Sequence, residues 1–209
     1  MVKKNYKWYS FLMWLFFLTP ISVIIFLFYY ASIGGFGDMP DLEVLENPKT
    51  NLASEIFTSD GKTLAKYYFN DNRTPVTFDE LPPHLVDALI ATEDIRFYSH
   101  SGIDFKRTFG AALKFGKDGG GSTITQQLAK LLFTGEGSKD IIERITQKFK
   151  EYIIAVRLER NYTKEEIITQ YLNLYDFNNN GDGIRSAARI YFGKEPIDCL
   201  LYTSPSPRD

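Results

Sequence analysis

Glu93 is the first residue of this chain placed to do chemistry. Counted at helical spacing, it shares a stripe with Val86, Leu89, Ile90 and Phe97. A carboxylate on an apolar stripe is costly unless something pairs it or uses it. Partial desolvation there primes it for general acid or base work. An ion pair with a basic neighbour at the surface is the structural alternative.

A second candidate is the turn from Gly120 to Gln127, which reads Gly-Gly-Ser-Thr-Ile-Thr-Gln-Gln. Thr123 and Gln126 fit a capping box at a helix start. Glycines before a helix N-terminus leave backbone N–H groups open to an anion. Ser122, Thr123, Gln126 and Gln127 add polar side chains, and Lys130 follows one turn on. The turn is not a P-loop, because G-x-x-x-x-G-K-[ST] is absent. A plain loop-to-helix junction is the competing reading.

The third candidate is a helix over 139–160. Ile141, Ile142, Ile145, Phe149, Tyr152, Ile153 and Val156 are expected to form its core face. Arg144, Lys148 and Glu151 line one rim of that face at i, i+4, i+7. This is either a solvated, ion-paired face or a wall for an anionic ligand with one embedded carboxylate. His84 and His100 lack the spaced partner of a metal site and read as structural.

These residues need a scaffold. From Leu81 onward the pattern is helical. Pro82 and Pro83 suit a helix start, Leu85, Val86, Leu89 and Ile90 recur at helical spacing, and a glycine break at 119–121 precedes a helix from Thr123. Another helix starts near Thr163. Upstream, residues 56–64 look like a hairpin around Asp60-Gly61. Ser59 and Lys62 match S-x-x-K, but turn residues explain them, and K-T-G occurs nowhere in the chain.

The stretch from Trp8 to Tyr30 carries no charge. As a helix it reaches roughly 34 Å, enough to cross a hydrocarbon core of about 30 Å. Pro20 is tolerated in such a helix. Lys3, Lys4 and Lys7 keep the N-terminus cytoplasmic. A cleaved signal peptide has a shorter apolar region of roughly 7–15 residues, so residues 8–31 read as a signal anchor after a tail of residues 1–7. Residues 32–54, with Gly34, Gly35, Gly37, Pro40 and Pro48, read as a linker.

The net charge of −2 over 209 residues excludes a globally basic nucleic-acid binder. Three of the 24 basic residues precede the anchor, so 21 face all 26 acids beyond it and that part is net −5. Any basic stripe there is local. The single cysteine, Cys199, excludes an intrachain disulfide and a two-cysteine zinc site.

Taken in order, the motifs resemble the peptidoglycan glycosyltransferase domain (glycosyltransferase family 51) of class A penicillin-binding proteins and monofunctional transglycosylases. Glu93, Asp94, Phe97, His100 and Gly102 fit E-D-x-x-F-x-x-H-x-G. Residues 121–130 fit G-S-T-I-T-Q-Q-L-x-K. Lys148 and Glu151 fit R-K-x-x-E, with Gln147 in place of its Arg; Arg144 and Lys150 are the candidates to replace that cation. Lys164, Ile167, Tyr171, Leu172 and Asn173 fit K-x-x-I-L-E-x-Y-L-N, with Thr169 for Glu. Gly183, Ala187, Ala188 and residues 191–194 complete the series, and Asn178 stands where many relatives have Gly.

The resemblance implies a mainly α, lysozyme-like fold. It implies polymerisation of lipid II into glycan strands by an inverting displacement of undecaprenyl pyrophosphate. Glu93 is then the general base. Glu151 is the second glutamate, which organises the pyrophosphate site; Mg2+ or Mn2+ is the cation it would accompany. Ser122, Thr123, Gln126, Gln127, Lys130, Lys148, Arg144 and Asn173 are expected to bind the substrate and its pyrophosphate. Expected partners are lipid II, the nascent strand, the lipid bilayer and the cell-wall synthesis machinery, with no nucleic acid. The catalytic domain is expected outside the bacterial cytoplasmic membrane, with Phe105, Phe109, Leu113, Phe115, Leu131, Leu132 and Phe133 either dipping into the leaflet or forming ordinary core. The family's closing helices have no counterpart here, so residues 55–198 are expected to be an incomplete domain and 199–209 a foreign tail. The alternatives are a lytic transglycosylase or muramidase, and a non-catalytic lipid II-binding remnant.

Overall fold

The computed structural model describes residues 6–35, 37, 54–61, 63–67, 73–113, 120–135, 137 and 139–199. Helix α1 (Tyr6–Ser32) runs unbroken through Pro20. Its most apolar window has a mean hydropathy of 2.5 and none of it is buried in the protein. It is long and apolar enough to cross a membrane. Only its C-terminal end packs. There Phe28 meets the ring of Phe149 edge-on at 5.0 Å and stacks on Tyr152 at 6.0 Å.

Strands β1 (Ser54–Phe57) and β2 (Thr63–Tyr67) form the expected antiparallel hairpin. Gly61 closes its turn at φ +77°, donating to the Thr58 carbonyl at 2.9 Å. Lys62 lies outside the described residues; Ser59, Asp60 and Gly61 are exposed turn residues.

The rest of the described chain is helical, and the fold is mainly α. Helix α2 (Pro83–Glu93) starts on its proline. It ends at Glu93, four residues short of Phe97, where the apolar stripe runs on. Asp94 leaves helical geometry (φ −158°, ψ 71°) because its carboxylate is drawn elsewhere. One of its oxygens accepts from His100 Nε2 at 2.9 Å and from the amide of Ile124 at 3.2 Å. Phe97 therefore sits in a separate 3-10 turn (Phe97–Ser99), fully buried, rather than on the helix that carries Glu93.

Helix α3 (Phe105–Leu113) follows. The short helix α4 (Ile124–Ala129) is the centre of the molecule. Ile124, Thr125, Gln126, Leu128 and Ala129 are all inaccessible to solvent, packed among α5 (Ile141–Asn161) and α6 (Lys164–Leu174). Phe97, Ile124, Leu128, Ile154, Leu158, Ile167 and Ile168 make the core. At its C-terminal end α4 widens into a π-turn (Lys130–Thr134), a distortion often found beside functional sites. Asp140 caps α5 by accepting from Ile142 N, and Thr163 with Glu166 forms a capping box on α6.

The core face of α5 differs from the one its apolar pattern suggests. Ile141, Ile142 and Ile145 are 70%, 74% and 49% exposed, while Glu151, Ile154, Ala155 and Leu158 are buried. The first two turns of α5 project past the core, so Ile141, Ile142 and Ile145 are left uncovered by the described residues. Phe149 and Tyr152 pack on α1 instead.

Helix α7 (Ile184–Phe192) ends on Gly193 at φ +64°, and a 3-10 turn (Pro196–Asp198) follows it. Between α6 and α7, Asn178, Asn179 and Asn180 all take positive φ (64°, 52°, 62°). Asparagine tolerates that region far better than most residues, so the loop keeps its left-handed turn where a glycine was expected. Residues 200–209, read above as a foreign tail, and Phe115 lie outside the described residues.

Candidate active site

The buried Asp94 does two jobs. By leaving the helix it turns Glu93 outward, and by accepting from Ile124 N it fastens that turn to the start of α4. The loop after α2 is fastened again at Gly102. Its carbonyl accepts from Thr123 Oγ1 at 2.7 Å and from Gln126 Nε2 at 3.1 Å. A Cβ on Gly102 would lie 2.8 Å from the backbone of Ala155, and its φ is +89°. Gly102→Ala is therefore expected to cost on the order of 3 kcal/mol, from left-handed strain and overpacking together. The check is a thermal melt, expected to fall by roughly 10 °C.

Two open cavities meet along this framework. The first, about 760 Å³, is lined by Glu93, Arg107, Ser122, Gln127, Lys130 and Tyr171, among others. The second, about 440 Å³, is lined by Ser122, Lys130, Arg144, Gln147, Lys148 and Glu151, with Ile141 and Ile145 at its edge. Ser122 and Lys130 line both, so the cavities form one groove. Among its described lining residues the second cavity carries three cations against one carboxylate. Lys148 Nζ donates to Ser122 Oγ and to Glu151 Oε2, each at 2.7 Å. Glu151 is only 7% exposed, so the carboxylate of this pair is desolvated while the Lys148 side chain, 35% exposed, still meets solvent. Thr134 Oγ1 donates weakly to its other oxygen at 3.4 Å.

Glu93 is half-buried at the end of α2. Its Oε2 accepts from Gln127 Nε2 at 2.7 Å, and Gln127 Oε1 accepts from the Tyr171 hydroxyl at 3.0 Å. Burial, with the nearby Glu93 carboxylate adding to it, pushes the Tyr171 phenol far above its usual range. It stays protonated, and stays a donor, at any ordinary pH.

The structure thus brings Glu93, Ser122, Gln127, Lys130, Arg144, Lys148 and Glu151 to one groove. It keeps three expected substrate residues out. Thr123 and Gln126 are wholly buried and hold the Gly102 carbonyl. Asn173 clamps Val76, accepting from its N–H and donating to its C=O, both at 2.9 Å. The expected capping box is also only half formed: Thr123 caps Gln126 N, but the Gln126 side chain reaches Gly102. Two of the first amides of α4, Ile124 N and Gln126 N, are already taken by Asp94 and Thr123. The groove's positive character comes from side chains. Of the two candidates to replace the cation absent at Gln147, Arg144 lines the groove; Lys150 does not, and its ammonium lies beside Gly37.

Arg107 is the residue the sequence reading missed. It donates to the Glu93 carbonyl and, at 2.9 Å, to the Gly120 carbonyl, tying the end of α2 to the glycine turn. Its signal was weak, because a lone arginine in an amphipathic helix reads as solvated surface.

The donor set was tested for a divalent cation. Among the described residues no three His, Cys, Asp or Glu side chains come together. Glu151 is the one carboxylate among the described residues that line its cavity, and it is already paired to Lys148. These residues do not by themselves make an Mg2+ or Mn2+ site.

A family model described as Transglycosylase matches residues 60–202. Penicillin-binding protein 1A of Escherichia coli is 38% identical over 161 residues, covering 75% of this chain and 18% of that protein. Penicillin-binding protein 1F of Bacillus subtilis is 41% identical over 155 residues, 72% of this chain and 21% of the relative. Penicillin-binding protein 1A of Vibrio cholerae is 35% identical over 193 residues, 88% and 23%. The chain spans about a fifth of the length of these relatives.

Proposed function

This chain belongs to the transglycosylase family, and we propose that it polymerises lipid II into glycan strands at a membrane surface. The observation that carries the reading is the groove. One carboxylate stands in its first cavity, three cations stand in its second, and Ser122 and Lys130 join the two.

The reaction needs both ends. The 4-hydroxyl of an incoming lipid II attacks the anomeric carbon of the donor strand. The hydroxyl proton passes to Glu93. The bond from anomeric carbon to phosphate oxygen breaks, its electron pair leaves on undecaprenyl pyrophosphate, and the new linkage inverts from α to β. Pyrophosphate needs little protonation to leave but strong charge stabilisation. Lys148, Lys130 and Arg144 supply that charge, and Ser122 a hydroxyl. Glu151 holds Lys148 in place.

A hydrolase that cuts glycan has no such diphosphate to hold, so the cationic cavity favours synthesis over a lytic transglycosylase. The anchor is residues 8–31 with the tail 1–7 on the cytoplasmic side, a linker over 32–54 and the transferase domain over 55–198. Phe105 and Phe109, one turn apart on α3 and 75% and 67% exposed, support apposition of this domain to the outer leaflet. Ile141, Ile142 and Ile145 point to the same role, whereas Leu132 and Phe133 pack partly into the core.

The test is to reconstitute the chain in detergent micelles with purified lipid II. Lengthened, β-linked strands and released undecaprenyl pyrophosphate are expected. Shortening of preformed strands would transfer the assignment to the lytic class, and binding without turnover would leave only a lipid II-binding remnant.

A further inference from the structure

We propose that Tyr171 is a positioning residue of the transfer reaction, acting through Gln127 to fix which oxygen of Glu93 faces the substrate. The proposal rests on the reading of Glu93 as the base.

The chemistry of the three groups allows one arrangement. A carboxylate only accepts hydrogen bonds, so the side-chain amide of Gln127 must turn its nitrogen to Glu93. Its oxygen then points the other way and needs a donor. Tyr171 is that donor, 3.0 Å away, with its side chain only 4% exposed. Were the amide to flip, its oxygen would face the Glu93 carboxylate and its nitrogen the phenol. The carboxylate on α2 thus sets the orientation of the amide on α4, and the hydroxyl on α6, as the donor its oxygen then requires, holds that amide in place against Glu93. Glu93 Oε2 is held at 2.7 Å from Gln127, and Glu93 Oε1 has no hydrogen-bond partner among the described residues. That second oxygen is the lone pair left for the incoming hydroxyl. All three residues line the first cavity.

Two further features fit a positioning role. Tyr171 packs its ring against Tyr175 at 5.4 Å, so the phenol is fixed from behind. The neighbouring Gln126, one step round the same helix, is buried and bonded to Gly102, so α4 cannot rotate to let it replace Gln127.

The test uses the whole chain and purified lipid II. Tyr171→Phe keeps the ring and removes the donor. It is expected to lower kcat about tenfold, the rate equivalent of one net hydrogen bond, with KM within about twofold and the melting temperature nearly unchanged. In a Gln127→Leu background the same substitution is expected to have no further effect, because the relay is already broken. Wild-type kcat in Tyr171→Phe, or independent losses that multiply in the double variant, would overturn the proposal. If Tyr171→Phe melts early, the Gln127→Leu variant alone decides: it must show the same fall in kcat with KM unchanged. Full activity of Glu93→Gln would remove the underlying assignment instead, so the two failures are told apart.

Discussion

A Glu93→Gln chain is expected to fold, to bind lipid II and to make no detectable glycan. The substitution is close to isosteric, and a glutamine oxygen still accepts from Gln127 Nε2, now 2.7 Å from the carboxylate. The neighbouring contacts involve the backbone rather than the side chain: Arg107 holds the Glu93 carbonyl, and Asp94 supplies the link to His100 and α4. Stability should therefore change little. What is lost is the capacity to take a proton. General base assistance is typically worth about 10²–10⁴ in rate, which brings polymerisation below the limit of a gel-based assay. The measurement is strand formation from purified lipid II, beside a binding isotherm and a melt of the same preparation. Activity equal to wild type would end the assignment.

Lys148→Met is expected to be nearly as damaging, for a different reason. Lys148 is the cation fastened at the middle of the groove, between Ser122 and Glu151. Removing one preorganised charge-stabilising group commonly costs about 10²–10³ in kcat. Here the substitution has a second effect: it leaves Glu151, 7% exposed, as a buried carboxylate without its partner, an arrangement that is strongly destabilising. The double variant Lys148→Met/Glu151→Gln separates the two. It is expected to recover the melting temperature lost in the single variant and to remain inactive. Recovery of activity along with stability would show that Lys148 matters only as the counter-ion of Glu151.

Much of this protein was legible in its residues because the relevant signals are local. A run without charge from Trp8 to Tyr30, a turn centred on Asp60-Gly61, prolines at a helix start, and Thr163 before a helical pattern each act within a few residues. Each appears in the structure where local chemistry put it. Ordered motifs also carried the family, since the spacing of Glu93, the turn at 121–130, and Lys148 with Glu151 survives without any knowledge of packing.

Direction was not legible. Gln126 and Gln127 are the same residue type in adjacent positions, separated by about 100° around the helix axis. Only the packing of α4 between α5 and α6 decides that the first is buried on Gly102 and the second reaches Glu93. Asn173 was expected to bind the substrate, yet its amide clamps a backbone nearly a hundred residues away. The apolar stripe of α5 reads as core throughout, but its first turns extend past anything that could cover them. Sequence by itself determined which residues this protein has for its chemistry and in what local structure they sit. Tertiary structure alone decided which of them face the groove, because the direction of a side chain follows from what the far side of its helix must bury.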